Sequence, residues 1–254
     1  MLYNFLSGQT ANLLSELLGS AIQEMQNLSY DLESPEVELD ELGYFTTDKY
    51  GNTFRLGLFL TLYGKTFLRS PALHIDYCET AEKFKSRLKY TNSQIVTYYS
   101  LDRQRKFENE KLSVCKNCIK IARSKLSVRI AGNELYDFLL AIEEDDKLKC
   151  KISNSEGYAS NWQQTSRAYR ESKKYTCEKC SFKMDEQKHS KFWQTHHIKG
   201  NEKLNNKRNN LKCLCVKCHS EVDDYHKEKF KSIENLLLLE QFDTYRNTRQ
   251  RTVV

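Results

Sequence analysis

The sequence predicts an α+β chain, on three observations. Apolar residues from Leu6 to Leu28 (Leu6, Leu13, Leu14, Leu17, Leu18, Ile22, Met25, Leu28) recur at three- and four-residue steps, and "NELYDFLLAIEEDD" from Asn133 and "HKEKFKSIENLLLLEQF" from His226 repeat that helical spacing. "TFRLGLFLTLYGKTF" and "SQIVTYYSL" are rich in β-branched and aromatic residues with partial alternation, which places strands within 53–101. The polar stretch "KISNSEGYAS" separates these signals from the cysteine- and histidine-rich C-terminal part.

Taken in order, residues 1–50 form an acidic, helical N-terminal segment. Its amphipathic helix is read as core packing, with an oligomer contact or partner site as the other reading, and "DLESPEVELDEL" around Pro35 as a loop. Residues 51–153 form a mixed α/β region in which "ETAEKFKSRLK" looks helical between the strands. Residues 154–254 form the C-terminal domain, entered through a helix in "NWQQTSRAYRESKK".

Composition narrows the function. With 39% hydrophobic and 29% charged residues among 254, and no apolar run near the ~20 residues of a membrane helix, a membrane partner is not expected. No Lys or Arg precedes Lys49, so the basic region of a secretory signal is missing and the expected compartment is cytoplasmic. Nine cysteines in a reducing compartment point to metal rather than disulfides. Residues 1–50 carry one base against nine acids and the remainder 39 bases against 25 acids, which makes the later part the expected polyanion surface.

The spacing of the cysteines decides between these uses. Cys177 and Cys180 in "YTCEKCSF" and Cys215 and Cys218 in "CLCVKCH" form two CxxC turns, 34 residues apart. Two such turns supply the four thiolates of a closed tetrahedral zinc shell, which leaves no position for substrate and is structural. Cys213 falls at an apolar position and is expected as a small buried hydrophobe. His219, beside the knuckle but turned about 100° from Cys218 on a helix, is expected to be able to serve a second metal. In the first half, His74 and Cys78 of "HIDYC" with Cys115 and Cys118 of "SVCKNCIK" suit a second zinc shell. The open alternatives are a buried His74 with unligated thiols, or Cys150 in place of His74.

The run "CEKC", "HHI", "NNL" and "CVKCHSEVDDYH", from Tyr175 to His226, resembles the HNH, or ββα-metal, nuclease family. The resemblance implies a β-hairpin followed by a helix, a catalytic metal between them and an outer four-cysteine zinc staple. By position it makes His197 the general base, His196 and His219 metal ligands, and Asn210 the residue that orients the base. Asp223, four residues after His219, matches a further ligand, with His226 as its rival. His189 is read as a surface residue. "HHIKGNEKLNNKRNNL" lacks the proline and glycine pair that many members carry after the catalytic histidine.

The implied activity is metal-dependent hydrolysis of phosphodiester bonds in DNA, in bacterial or phage restriction or defence. The cofactors are structural Zn²⁺ in one or two sites and a catalytic Mg²⁺ or Mn²⁺, with Zn²⁺ or Ni²⁺ as alternatives. Lys199, Lys203, Lys207, Arg208 and Lys212 crowd the intervening loop as expected phosphate contacts. RNA, a second copy and a regulatory protein are the other partners considered, and the alternative functions are a non-catalytic zinc-stabilised nucleic-acid-binding protein and a nuclease that acts on RNA or only nicks.

Overall fold

The computed structural model describes residues 29–30, 37–47, 53–64, 71–76, 78–84, 87–145, 158–159, 161–200 and 204–252. The periodicity at 6–28, Cys150 and Lys203 lie outside the described residues. Helices and small sheets mix as an α+β chain should. Packing divides the described residues into a unit within Asn27–Cys215 and a unit within Val216–Val254.

In the first unit, strands β1 (Ser29–Tyr30), β2 (Glu38–Asp40), β3 (Gly43–Thr47), β4 (Thr53–Arg55), β5 (Gly57–Leu60), β6 (Leu62–Tyr63), β7 (Leu88–Thr91), β8 (Ile95–Ser100) and β9 (Arg105–Lys111) build three three-stranded sheets. Their orders are β1-β7-β5, β2-β3-β4 and β6-β8-β9, antiparallel throughout except for β6 against β8. The β2–β3 turn needs glycine: Gly43 has φ +111°, and a Cβ there would sit 2.5 Å from the Ile75 carbonyl oxygen. In β8 the side chains of Val96, Tyr98 and Ser100 point inward and Thr97 and Tyr99 outward, the two-residue period of a strand with one covered face.

The helix expected in "ETAEKFKSRLK" is a single turn, α1 (Glu79–Glu82), and Leu88–Thr91 is instead the central strand of its sheet. A short isolated helix is marginal, whereas β7 gains ladder bonds on both edges and buries Leu88 and Tyr90. Helices α2 (Lys116–Lys125), α3 (Leu135–Glu144) and α4 (Trp162–Ser172) follow. Glu134, one residue after the expected Asn133, opens α3 through a reciprocal capping box with Asp137, and Leu135, Phe138, Leu139 and Ile142 face the core.

Helix α4 buries polar side chains, each matched to the strands around it. Gln164 accepts from the Arg55 N–H at 2.8 Å and donates to the Arg55 and Asn92 carbonyls at 2.6 and 3.1 Å. Buried Glu171 accepts from Ser93 Oγ at 2.7 Å and pairs with Arg167 at 3.0 Å. A buried charge so supplied with donors avoids the penalty of an unmatched one.

Strands β10 (Trp193–His197) and β11 (Leu211–Cys215) form an antiparallel hairpin in the register Trp193↔Cys215 to His197↔Leu211. Helix α4 holds it through Tyr169 Oη to the Leu211 carbonyl (2.9 Å) and Thr195 Oγ1 to the Ser166 carbonyl (2.9 Å).

The second unit holds α5 (Val216–Ser220), which begins at the residue after Cys215, then α6 (Asp224–Lys229) and α7 (Ile233–Thr252). The continuous closing helix expected from His226 is broken at Phe230. A new N-cap restarts it, Ser232 Oγ accepting from the Asn235 N–H at 3.4 Å, while Asp223, which accepts from the His226 N–H at 2.8 Å, caps the shorter helix before the break.

Candidate metal centres and the histidine site

The first CxxC turn is built by a short chain reversal. Cys177 N–H donates to the Phe182 carbonyl at 2.9 Å and Ser181 N–H to the Cys177 carbonyl at 2.8 Å, with Ser181 in the left-handed region. Glu178 clasps the turn to β11: it accepts from the Cys213 N–H at 2.7 Å and from Lys173 Nζ at 2.7 Å. Burial alone would raise the Glu178 pKa, but these donors hold it below the usual carboxylate range.

The sulfurs of Cys177, Cys180, Cys215 and Cys218 all lie within 4.8 Å of one another. Cys180 and Cys215 are 3.8 Å apart, far beyond disulfide length. That distance matches the ~3.8 Å edge of a tetrahedron with Zn–S bonds of ~2.3 Å. A hydrogen bond from Cys215 pulls the Cys177 thiol down to about 4, the thiolate character a metal donor needs. The group could hold zinc. Cys213 stands apart from it, fully buried, and loss of solvent pushes its thiol up to about 12.

The second group lies where a bridge between Leu58 and His74 and the start of α2 meet. His74, Cys78, Cys115 and Cys118 place their ligand atoms within 4.8 Å of one another. His74 Nδ1 is 3.3 Å from Cys78 Sγ and 3.8 Å from Cys118 Sγ, around the ~3.6 Å edge expected for mixed Zn–N and Zn–S bonds. Within the pair, Cys118 donates to Cys115, pulling the Cys115 thiol down to about 3 while the Cys118 thiol is raised. His74 is therefore a member of this group, and zinc fits it as well.

The hairpin separates the adjacent histidines. Consecutive residues of a strand point to opposite faces, so His196 and His197 have different surroundings. His196, His219 and His226 bring a ring nitrogen each to within 4.8 Å of one another. The helical spacing that suggested Asp223 as a ligand does not hold, because α5 ends at Ser220 and Asp223 caps α6. Asp223 Oδ1 accepts from His226 Nδ1 at 2.7 Å instead, which fixes the ring.

His197 lies on the other face, under Trp162 (ring centroids 4.4 Å) and Tyr158 (5.7 Å). Its Nε2 bonds to Asn206 Oδ1 at 2.9 Å, and Asn206 Nδ2 donates to Glu143 Oε2 at 2.8 Å. Asn206, rather than Asn210, is thus the side chain bonded to this imidazole. Asn210 spans the loop: its Oδ1 accepts from the Lys199 N–H and its Nδ2 donates to the Asn205 carbonyl, both at 2.9 Å. The resemblance singled out Asn210 among five asparagines between 201 and 210 by its place directly before Leu211. Nothing in the spacing pointed to Glu143, Tyr158 or Trp162.

Arg208 lies over the Tyr136 ring (4.5 Å) and pairs with Asp137 (2.8 Å) and Glu134 (3.1 Å), while Lys207 pairs with Glu144 at 3.0 Å. Both cations hold the loop to α3. His189 is half-buried against Asp185 at 2.9 Å. Among the described residues no helix is long and apolar enough to cross a membrane.

No family model matches the chain, and no solved structure matches it. Among curated proteins it is similar to Zorya protein ZorE of Escherichia coli, 26% identical over 162 residues. The match covers 58% of this chain and 43% of the relative, so the chain spans less than half of that protein's length.

Proposed function

We propose that this chain is a metal-dependent endonuclease of the HNH type that hydrolyses phosphodiester bonds in DNA. The observation that carries the reading is the trio His196, His219 and His226, whose ring nitrogens lie within 4.8 Å of one another. Three imidazoles leave coordination positions open, the mark of a catalytic rather than a structural site. A divalent ion held there would supply Lewis-acid stabilisation of a phosphate and its leaving oxygen. His197 would take the proton of the attacking water, and the four thiolates would fix the end of β11 from which α5 starts. The likeness to Zorya protein ZorE supports placing this activity in phage defence.

An all-imidazole set favours a transition ion such as Ni²⁺ or Zn²⁺ over Mg²⁺, which prefers oxygen donors. Supercoiled plasmid incubated with the purified chain and Mg²⁺, Mn²⁺, Ni²⁺ or Zn²⁺ should be nicked or linearised, most readily with ions that accept imidazole, and protected by chelator. The enclosure of His197, 6% exposed, favours a second reading as a non-catalytic zinc-stabilised nucleic-acid-binding protein. Plasmid retained on the protein but intact with every ion would establish that reading instead, and a parallel RNA substrate separates the two polymers.

A further inference from the structure

We infer that Glu143, on α3, is a positioning residue for His197: acting through Asn206, it sets which ring nitrogen of that imidazole can accept a proton. Three consecutive partners carry the inference. Glu143 Oε1 accepts from Thr165 Oγ1 at 2.5 Å, its Oε2 accepts from Asn206 Nδ2 at 2.8 Å, and Asn206 Oδ1 meets His197 Nε2 at 2.9 Å. Asn206 is 1% exposed, and its backbone carbonyl oxygen accepts from Tyr136 Oη, which fixes the main chain from which the amide extends.

The amide can face this chain in only two ways. With Glu143 ionised, both its oxygens are acceptors, so Asn206 must turn its NH₂ toward the carboxylate and its oxygen toward the ring. An oxygen opposite Nε2 requires a proton on Nε2, and the neutral ring then keeps its lone pair on Nδ1. Were the residue at 143 to present a donor instead, the amide would turn over, its NH₂ would face Nε2, and the proton would move to Nδ1. The charge of one carboxylate on a different element thus fixes the tautomer of the strand histidine. The consequence for catalysis rests on the nuclease reading, whereas the tautomer does not.

The test uses the full-length zinc-loaded chain, labelled with ¹⁵N-histidine, at a pH where the rings are neutral. His197 is assigned by its disappearance in His197→Gln. The wild type should show His197 protonated at Nε2. Glu143→Gln, isosteric but carrying a donor, should shift it to the Nδ1-protonated form, and Glu143→Asp should retain the Nε2 form. In a plasmid-nicking assay Glu143→Gln should lower kcat about 100-fold with KM little changed, since a wrong tautomer in a histidine base is known to cost up to ~10⁴-fold. Wild-type zinc content and melting in Glu143→Gln exclude simple unfolding. If Glu143→Gln fails to fold, Asn206→Leu, which removes the relay, should abolish the bias between tautomers. An unchanged Nε2 tautomer in Glu143→Gln, or in Asn206→Leu where that is used, overturns the inference and leaves the nuclease reading standing. A tautomer shift in a protein that does not nick DNA overturns the nuclease reading and leaves the inference standing.

Discussion

At the scale of single residues, the metal groups separate according to what each donor set can hold. Two closed groups with thiolates predict about two tightly bound zinc ions per chain, each contributing on the order of 10 kcal/mol of folding free energy at most. Cys180→Ser should lose one equivalent by elemental analysis and melt far below the parent. Cys118→Ser should lose the other. Zinc content unchanged in either variant would remove that group from the account. The four-cysteine group was legible in the sequence because a CxxC turn is a local structure whose spacing dictates that both thiolates face one point. The identity of the side chain bonded to His197 was not legible, since Asn205, Asn206, Asn209 and Asn210 are equivalent until the loop is folded, and Glu143 approaches from 63 residues away.

At the scale of elements, helix ends decide what the histidines can do. His219 and His226 belong to different helices, and the turn between α5 and α6 brings their rings to 4.5 Å. Reading one helix through both gave Asp223 a ligand's place, whereas its carboxylate caps α6 and holds His226 Nδ1. Asp223→Ala should therefore cost about 1 kcal/mol of stability through the lost cap. It should also weaken binding of Co²⁺, followed by its visible absorption, by about 10–100-fold. Asp223→Asn, which still accepts from the His226 N–H, should recover the stability. Equal Co²⁺ affinity in all three proteins would show that Asp223 does not orient the ring. The helical periodicity of α3 and α4 was legible, as was the alternation in β8. The strand at Leu88–Thr91 was not, because its ladder partners on β1 and β5 lie some 30 to 60 residues earlier in the chain.

At the scale of the whole molecule, the polar stretch at 151–160 separates segments that nonetheless share buried hydrogen bonds. Glu171 relies on Ser93, Gln164 on Arg55 and Asn92, and Asn206 on Glu143 and Tyr136. A fragment beginning at Asn154 would leave the buried Glu171 carboxylate with Arg167 but without its Ser93 donor, and losses of this kind cost about 1–3 kcal/mol each. It should melt at lower temperature and without cooperativity even when zinc is supplied. A sharp, zinc-dependent transition in the fragment would show that residues before 154 add little to its stability. The central claim is that the three histidines hold the ion that cuts DNA. Its most direct measurement is nicking of supercoiled plasmid by wild type, His196→Ala and His219→Ala, each checked to carry the same structural zinc. The account predicts metal-dependent nicking by the wild type and at least a ~100-fold loss in both variants at unchanged zinc content; equal nicking by all three proteins, or none by the wild type with any of the four ions, would contradict it.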